Sequence, residues 1–122
     1  MKFRSMATAA AALALTVAVA PAAMANSFDD PVGGGGHVVY TDGTDTLCVS
    51  LPSSSSYDVL DITAAPVTAG RGPTLSFSVH AGGKTCKSLA TAYEDSKYTY
   101  NGILAYDTVC RCGTRVGGEF YS

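Results

Sequence analysis

The stretch TLSFSVH at residues 74–80 alternates strictly between polar and apolar side chains. Its Leu, Phe and Val residues share one face of an extended strand and its serines share the other, because successive side chains of a strand point to opposite faces. The stretch AGGK at residues 81–84 follows directly, and its Gly-Gly pair predicts a two-residue hairpin turn. The return strand is then predicted over residues 85–93. Together these residues predict an antiparallel sheet with one buried face.

The rest of the chain shows a similar sequence pattern on both sides of this stretch. Short apolar-alternating runs are separated by turn residues, and no long amphipathic helical period interrupts them. In the run at residues 57–63, Leu60 and Ile62 form the face expected to be buried, and Asn101-Gly102 is the strongest hairpin signal of the chain. Further strands are predicted at residues 37–40, 46–51, 98–100, 103–106 and 108–116. The sequence therefore predicts an all-β fold, a small disulfide-stapled antiparallel β-sandwich or barrel of about seven short strands.

The first 25 residues have the three parts of a secretory signal peptide. Lys2 and Arg4 precede an apolar run at residues 7–20, and the A-x-A motif at residues 23–25 predicts cleavage before Asn26. The apolar run is too short to span a bilayer. The sequence therefore predicts a secreted, extracellular protein that does not insert into a membrane after signal cleavage.

Removal of this segment leaves a small and mildly acidic mature chain. The signal peptide holds two of the eight basic residues and none of the ten acidic ones, so the 97 mature residues carry a net charge of −4. An acidic chain without a basic stripe argues against nucleic acid and anionic membrane surfaces as partners. A domain of this length has a marginal core, so disulfides contribute much of its stability.

The Gly-rich segment at residues 26–36 is predicted to be a flexible N-terminal segment ahead of a β domain at residues 37–122. An alternative interpretation is that the segment orders in the groove of a partner, with Phe28 and Val32 as anchors. In that case the glycine run would permit close approach of the two backbones. The glycines of the run are Gly33, Gly34, Gly35 and Gly36.

Four cysteines in an exported chain are expected to form two disulfides. Cys110-Arg111-Cys112 is predicted to lie inside a strand, where both sulfurs project side by side from one face and would strain to bond each other. Two pairings then stay open, 48–110 with 86–112 or 48–112 with 86–110. The competing interpretations are a zinc site, for which the chain lacks paired C-x-x-C knuckles, and one free cysteine that crosslinks a partner. The four positions are Cys48, Cys86, Cys110 and Cys112.

No catalytic motif is present, so the chain is predicted not to be an enzyme and to need no cofactor. His37 and His80 are interpreted as surface residues, because neither stands in a recognisable nucleophile–base arrangement. Acidic pairs such as Asp58 with Asp61 are interpreted as solvated charges. No ligand-loop pattern supports a metal site.

Two further features point to interactions with other proteins. Tyr98 and Tyr100 share one face of a predicted strand, where they form either a projecting aromatic patch or ordinary cross-strand packing. Arg71 stands in the loop TAGRGP at residues 68–73, where a displayed arginine would suit a trypsin-like protease as a substrate mimic. The glycines on both sides of Arg71 make that loop floppy, which works against tight inhibition.

The Ala-rich signal peptide, the mature chain of about a hundred residues, the Ser/Thr/Gly/Tyr-rich β pattern and the four cysteines resemble small secreted proteins of actinobacteria. Within that group the chain is similar to the killer-toxin-like, β/γ-crystallin-type proteins. Tyr93 and Tyr98 keep the spacing of the two aromatics in the β/γ-crystallin signature, while Tyr100 occupies the place of its glycine. Small amylase inhibitors of the same bacteria share size and disulfide count, but their Trp-Arg-Tyr triplet is missing here.

The resemblance implies an adaptor subunit of an umbrella toxin particle, whose N-terminal segment docks into one partner and whose β domain grips another. In that role residues 26–36 would dock, and the four cysteines would staple the domain. The predicted function is therefore a non-catalytic secreted protein-binding module, an adaptor or assembly subunit of an extracellular antibacterial toxin complex, with one or more secreted proteins as partners. The alternatives are a small secreted protease inhibitor acting through Arg71 and a free-standing killer-toxin-like antimicrobial protein.

Overall fold

The computed structural model describes residues 27–122, so the predicted signal peptide and Asn26 lie outside the described residues. The predicted all-β fold is confirmed: the described chain forms two four-stranded antiparallel sheets that pack on one shared core, a β-sandwich. A single 3-10 turn at Asp42–Thr44 interrupts the strands. The eight strands are β1 Phe28–Gly33, β2 Gly36–Thr41, β3 Thr46–Leu51, β4 Val59–Pro66, β5 Leu75–His80, β6 Gly83–Ser88, β7 Lys97–Ala105 and β8 Gly113–Tyr121.

The chain passes repeatedly from one sheet to the other. Sheet A has the strand order β1-β2-β3-β6, and sheet B has the order β5-β4-β7-β8. The connections β3–β4, β5–β6 and β6–β7 therefore cross between sheets, while β1–β2, β2–β3, β4–β5 and β7–β8 join antiparallel neighbours. Because every connection joins the end of one strand to the start of the next, the turns lie at the two ends of the sandwich. Within residues 27–122, no helix has the length and apolar character needed to cross a membrane.

The core lies between the two inner faces and follows the alternation of the sequence. The apolar residues of the 74–80 stretch share the buried face of β5, as predicted, and Leu60 and Ile62 are buried on β4. Burial of each large apolar side chain contributes about 1.5–3 kcal/mol relative to its exposure. The buried residues of the shared core are Val38, Tyr40, Leu47, Val49, Leu51, Leu60, Ile62, Ala64, Leu75, Phe77, Val79, Leu89, Tyr98, Tyr100, Leu104 and Phe120.

One end of the core is aromatic. The ring of Phe120 on β8 lies 5.1 Å from Phe28, 5.1 Å from Tyr40 and 5.3 Å from Tyr98, measured between ring centroids. Phe28 also stacks on Tyr100 at 6.3 Å. Aromatic pairs at these separations add to the free energy gained by burial alone. The cluster ties the first and last strands of the sandwich together.

The N-terminal segment is a strand rather than a flexible tail, which corrects the prediction for residues 26–36. β1 pairs with β2 along its length, and Gly34-Gly35 forms the turn between them. Gly34 and Gly35 have φ values of 58° and 76°, and two successive positive φ angles are what a two-residue hairpin turn requires. The glycine run therefore forms a turn, whereas the sequence predicted that it belongs to a flexible tail.

The hairpin predicted at residues 81–84 is also wrong. Ala81-Gly82 carries the chain from β5 in sheet B to β6 in sheet A, so the two strands are not paired with each other. β6 pairs instead with β3 and ends at Ser88, and residues 89–96 are a loop. The buried face of β5 faces the core from sheet B, while β6 is an edge strand of sheet A.

Asn101-Gly102 lies inside β7 and is not a turn, which corrects the strongest hairpin prediction. β7 is a central strand, paired on one side with β4 and on the other with β8. Its two ladders hold the backbone extended through these residues. Gly102 is needed for a different reason, since a Cβ there would collide with the carbonyl of Asp61 on β4.

Candidate binding surfaces at the two ends of the sandwich

Phe28 and Val32 do not present anchors to a partner in this structure. Both are half-buried on the inner face of β1, where they pack against the core. The side chain of His37 lies on the opposite face of sheet A, with its Nδ1 atom 2.6 Å from Asp29 Oδ1. Phe28 therefore closes the aromatic end of the core, which accounts for a large apolar residue in this segment.

The glycine turn packs against the domain itself. A Cβ on Gly34 would lie 2.6 Å from the ring of Tyr57, and one on Gly35 would lie 2.7 Å from Pro52. The close approach that the glycines permit is therefore made to the loop at residues 52–58. This contact brings the β1–β2 turn and Tyr57 to the same end of the sandwich.

Tyr98 and Tyr100 are core residues, so of the two alternatives packing is correct and the projecting aromatic patch is wrong. Their side chains are 0% and 2% exposed, and their hydroxyl groups donate hydrogen bonds to Pro73 O at 3.0 Å and to Asp30. Burial raises the pKa of Tyr98, and burial together with the bond to Asp30 raises the pKa of Tyr100. Tyr100 crosses Gly118 of β8, where any Cβ would collide with its ring.

Arg71 is held against its own domain rather than displayed. Its Nε donates to Ser96 Oγ at 3.1 Å, its Nη2 donates to Glu94 O at 3.3 Å, and its guanidinium carbon lies 5.0 Å from the ring centroid of Tyr93. The side chain is half-buried, and its loop is tied down by the bond from Tyr93 N to Arg71 O at 2.9 Å. The predicted exposure of the loop holds for residues 68–70, but the Arg71 side chain is not displayed freely.

Around Arg71 the structure exposes a set of large side chains that we call the Arg71 surface. It comprises Val67, Arg71, Tyr93 and Tyr121, of which Val67 is 58% and Tyr93 60% exposed. A cleft of about 320 Å³ lies beside Arg71 and is lined by Thr68, Arg71, Asp95, Ser96 and Lys97. Tyrosine and arginine are the side chains most enriched where proteins bind one another.

The disulfide pairing differs from both predicted alternatives. Cys48 on β3 bonds Cys86, which lies directly opposite on β6, and Cys110 bonds Cys112. The pair Cys110–Cys112 forms because these residues precede β8 instead of lying inside it, and Arg111 between them adopts a left-handed φ of 54°. That conformation brings the two Cα atoms to 5.2 Å, within the usual range for a disulfide. Within residues 27–122 no cysteine is left for zinc or for crosslinking.

The second disulfide lies at the β8 end of the connection between β7 and β8, which we call the tip loop (residues 106–112). Asp107 Oδ1 accepts hydrogen bonds from the backbone N–H groups of Val109 at 2.8 Å and Cys110 at 2.6 Å. Arg111 makes an ion pair with Asp61 on β4. Val109 stands at the outer end of this turn and is 91% exposed. The hydrogen bond from Tyr106 N to Cys112 O at 3.0 Å thus closes the loop, Asp107 folds it, and Arg111 attaches it to sheet B.

Tyr57 and Tyr106 support the base of the tip loop. Their rings stack at 4.7 Å between centroids, and the Tyr57 hydroxyl lies 3.0 Å from Thr114 Oγ1. Hydrogen bonds with Thr114 and Tyr106 lower the pKa of Tyr57, while the bond with Tyr57 raises the pKa of Tyr106. Tyr106 is still 58% exposed. We call Tyr57, Tyr106 and Val109 the tip surface.

The tip surface and the Arg71 surface lie at opposite ends of β7. Lys97 begins the strand beside the Arg71 surface, and Ala105 ends it beside the tip loop. At about 3.3 Å per residue the two ends are about 26 Å apart. Sequence reasoning missed the tip surface, although the short Cys-x-Cys spacing after an Asp is compatible with a closed turn.

No three His, Cys, Asp or Glu side chains of residues 27–122 lie close enough together to hold a metal ion. Comparison of the chain with family models, with curated proteins and with solved structures finds no match in any of the three.

Proposed function

We propose that the protein is a non-catalytic secreted binding module that serves as an adaptor or assembly subunit of an extracellular antibacterial toxin complex. The observation that carries the proposal is the pair of exposed apolar and aromatic surfaces at opposite ends of one rigid sandwich. An adaptor needs two separate binding surfaces, and a single sandwich of this size offers them at its two ends. The resemblance to killer-toxin-like proteins supplies the kind of assembly.

The tip surface suits binding because its loop is already ordered. Ordering a flexible loop at an interface costs free energy that is subtracted from affinity. Here the Cys110–Cys112 bridge, the Asp107 turn and the Arg111–Asp61 pair fix the loop before a partner arrives. Burial of Val109, which is 91% exposed, would contribute about 1.5–3 kcal/mol to association.

The Arg71 surface suits a second partner through different chemistry. Arg71 stacked on Tyr93 presents a flat cation–aromatic pair beside a cleft that also contains Asp95 and Lys97. Such a surface favours a partner with both apolar and charged groups. The tip surface, by contrast, presents apolar and aromatic groups.

The protease-inhibitor alternative is supported less well. A substrate-mimicking arginine must enter the pocket of the protease, yet the Arg71 guanidinium is already engaged by Ser96, Glu94 and Tyr93. The tip loop is a compact turn around Asp107 rather than an extended substrate-like segment. Arg71 would have to lose its contacts with Ser96, Glu94 and Tyr93 before it could enter the pocket of a protease.

Two matched substitutions test the adaptor role. Val109→Asp places a charge on the tip surface, and Val67→Asp places the same charge on the Arg71 surface; both valines are exposed, so the fold should tolerate each. The secreted protein and both variants are isolated from culture supernatant with antibodies, and the bound proteins are identified by mass spectrometry. Circular dichroism establishes that both variants are folded.

The adaptor role predicts that each variant loses a different bound protein and keeps the other. Recovery of the same bound proteins with both variants contradicts the proposal. So does growth inhibition by the purified protein alone, which indicates the free-standing antimicrobial alternative. Inhibition of a protease that disappears in Arg71→Ala would instead support the inhibitor.

A further inference from the structure

Strand β8 is the longest unpaired edge of the sandwich. It has nine residues, and in sheet B it pairs with β7 alone. An edge strand presents a row of free backbone N–H and C=O groups that can pair with another strand.

The hydrogen bonds between β7 and β8 show which residues of β8 direct their backbone groups to the open edge. Tyr106 N donates to Cys112 O at 3.0 Å, and Ser122 N donates to Ser96 O at 2.9 Å. Both bonds join residues that are directly opposite in the register of β7 and β8. Because alternate residues of an antiparallel strand direct their N–H and C=O groups to the same side, the even-numbered residues of β8 bond β7. The odd-numbered residues direct theirs to the open edge: Gly113, Arg115, Gly117, Glu119 and Tyr121.

The other three edges carry features that discourage pairing. β1 contains Pro31 beside two aspartates, and β6 presents lysine side chains. Beside β5, Lys87 Nζ donates to the carbonyl of Ser76. Proline and lysine are common means of blocking edge-to-edge association. β8 has no proline, and its charged residues are Arg115 and Glu119.

These two charges are placed symmetrically about Gly117. We propose that two copies of this chain associate through antiparallel pairing of β8 with β8, centred on Gly117, to form one continuous sheet across both molecules. In this register Arg115 lies opposite Glu119 of the second copy, and Glu119 lies opposite Arg115 of the second copy. Every hydrogen-bonded pair joins odd-numbered residues, whose backbone groups face the open edge.

The side chains at these positions fit the same register. Arg115 is exposed and has no ion-pair partner within residues 27–122, whereas Glu119 pairs with Lys97. Association therefore places the free cation of one copy beside the carboxylate of the other. Tyr121, which is 45% exposed, lies opposite Gly113 of the second copy, where an aromatic ring can cover a glycine. Opposite charges directly across an antiparallel pair stabilise it, and like charges destabilise it.

Charge reversal on the secreted protein tests the register. Arg115→Glu places carboxylates opposite carboxylates, and Glu119→Arg places cations opposite cations. Each variant alone is expected to dimerise at least about tenfold more weakly than the wild-type chain in sedimentation equilibrium. An equimolar mixture of the two variants restores opposite charges at both positions and is expected to form a heterodimer.

Two controls separate loss of pairing from loss of fold. Thermal unfolding of each variant reports whether Glu119→Arg has disturbed its contact with Lys97, and recovery of the dimer on mixing excludes misfolding. Val109→Asp lies outside the paired edge and should dimerise like the wild-type chain, so failure of the dimer is distinguishable from failure of partner binding. A wild-type chain that is monomeric at millimolar concentration overturns the proposal, as does a dimer that the charge variants leave unchanged.

Discussion

The two disulfides of this small sandwich have the same chemistry and different effects. Cys48–Cys86 joins neighbouring strands across 38 positions of sequence, whereas Cys110–Cys112 spans two positions within one loop. In the chain-entropy model the first constrains the unfolded chain by about 4 kcal/mol and the second by about 1.5 kcal/mol. One bridge mainly stabilises the fold, and the other mainly shapes a surface.

Their positions agree with this division. Cys48 and Cys86 lie on the outer face of sheet A, so their removal opens no cavity in the core. Cys110 and Cys112 lie in the tip loop, beside Val109, the most exposed large apolar side chain of residues 27–122. In the proposed role, the bridge that encloses the longer segment contributes mainly to stability and the other mainly to the shape of a binding surface.

The largest effect is expected from Cys48→Ala combined with Cys86→Ala. Because the bridge encloses a long segment, its loss should lower the free energy of unfolding by about 4 kcal/mol and the melting temperature by about 20 °C. Urea and thermal unfolding followed by far-UV circular dichroism measure both quantities. A loss no larger than that of the Cys110/Cys112 double variant would show that loop length does not determine the contribution of these bridges.

High pH weakens the fold without touching either bridge. Burial, Asp45 and Asp42 raise the pKa of Tyr40, and burial and Asp30 raise the pKa of Tyr100. A pKa that is higher in the folded than in the unfolded state gives stability that is complete below about pH 10 and is lost as pH rises further. Each such tyrosine should reduce the free energy of unfolding by up to about 1.4 kcal/mol per pH unit above pH 10.

Tyr100→Phe tests this assignment. The variant loses one hydrogen bond to Asp30 at neutral pH, but its stability should fall less steeply above pH 10 than that of the wild type. Urea unfolding at pH 8, 10 and 11 gives the slopes. Tyr93→Phe is the control, because Tyr93 is 60% exposed and its hydroxyl is not buried in the core. Equal slopes for Tyr100→Phe and the wild type would contradict a role for the Tyr100 hydroxyl.

The sequence predicted the faces of strands better than the turns between them. Alternation at residues 74–80 identified a buried face correctly, because burial of alternate side chains is a property of the strand itself. Turn signals failed where tertiary pairing decided the backbone. Asn101-Gly102 stays extended because β7 is paired on both sides, and Gly34-Gly35 turns because β1 returns onto β2.

The candidate surfaces were less predictable, because exposure depends on contacts made far along the chain. Tyr100 lies in the shared core and its hydroxyl donates to Asp30, which lies 70 residues earlier, and Arg71 is held by residues 23 and 25 positions later. The disulfide prediction failed on one assumption, that Cys110 and Cys112 lie in a strand. Arg111 adopts a left-handed conformation, which a regular strand does not allow, and the composition of the chain does not predict that conformation.

The smallest effect on stability is expected from Cys110→Ala combined with Cys112→Ala, and it separates the two roles most sharply. The Asp107 turn and the Arg111–Asp61 pair still hold the tip loop, so the free energy of unfolding should fall by only about 1.5 kcal/mol. Partner capture through the tip surface should weaken by about tenfold, because a looser loop must be ordered on binding. Thr108→Ala, an exposed substitution in the same loop, is the control and should change neither quantity. Unchanged capture in the double variant would assign the second bridge to stability alone, and the contrast between the two disulfides would reduce to the lengths of chain they enclose.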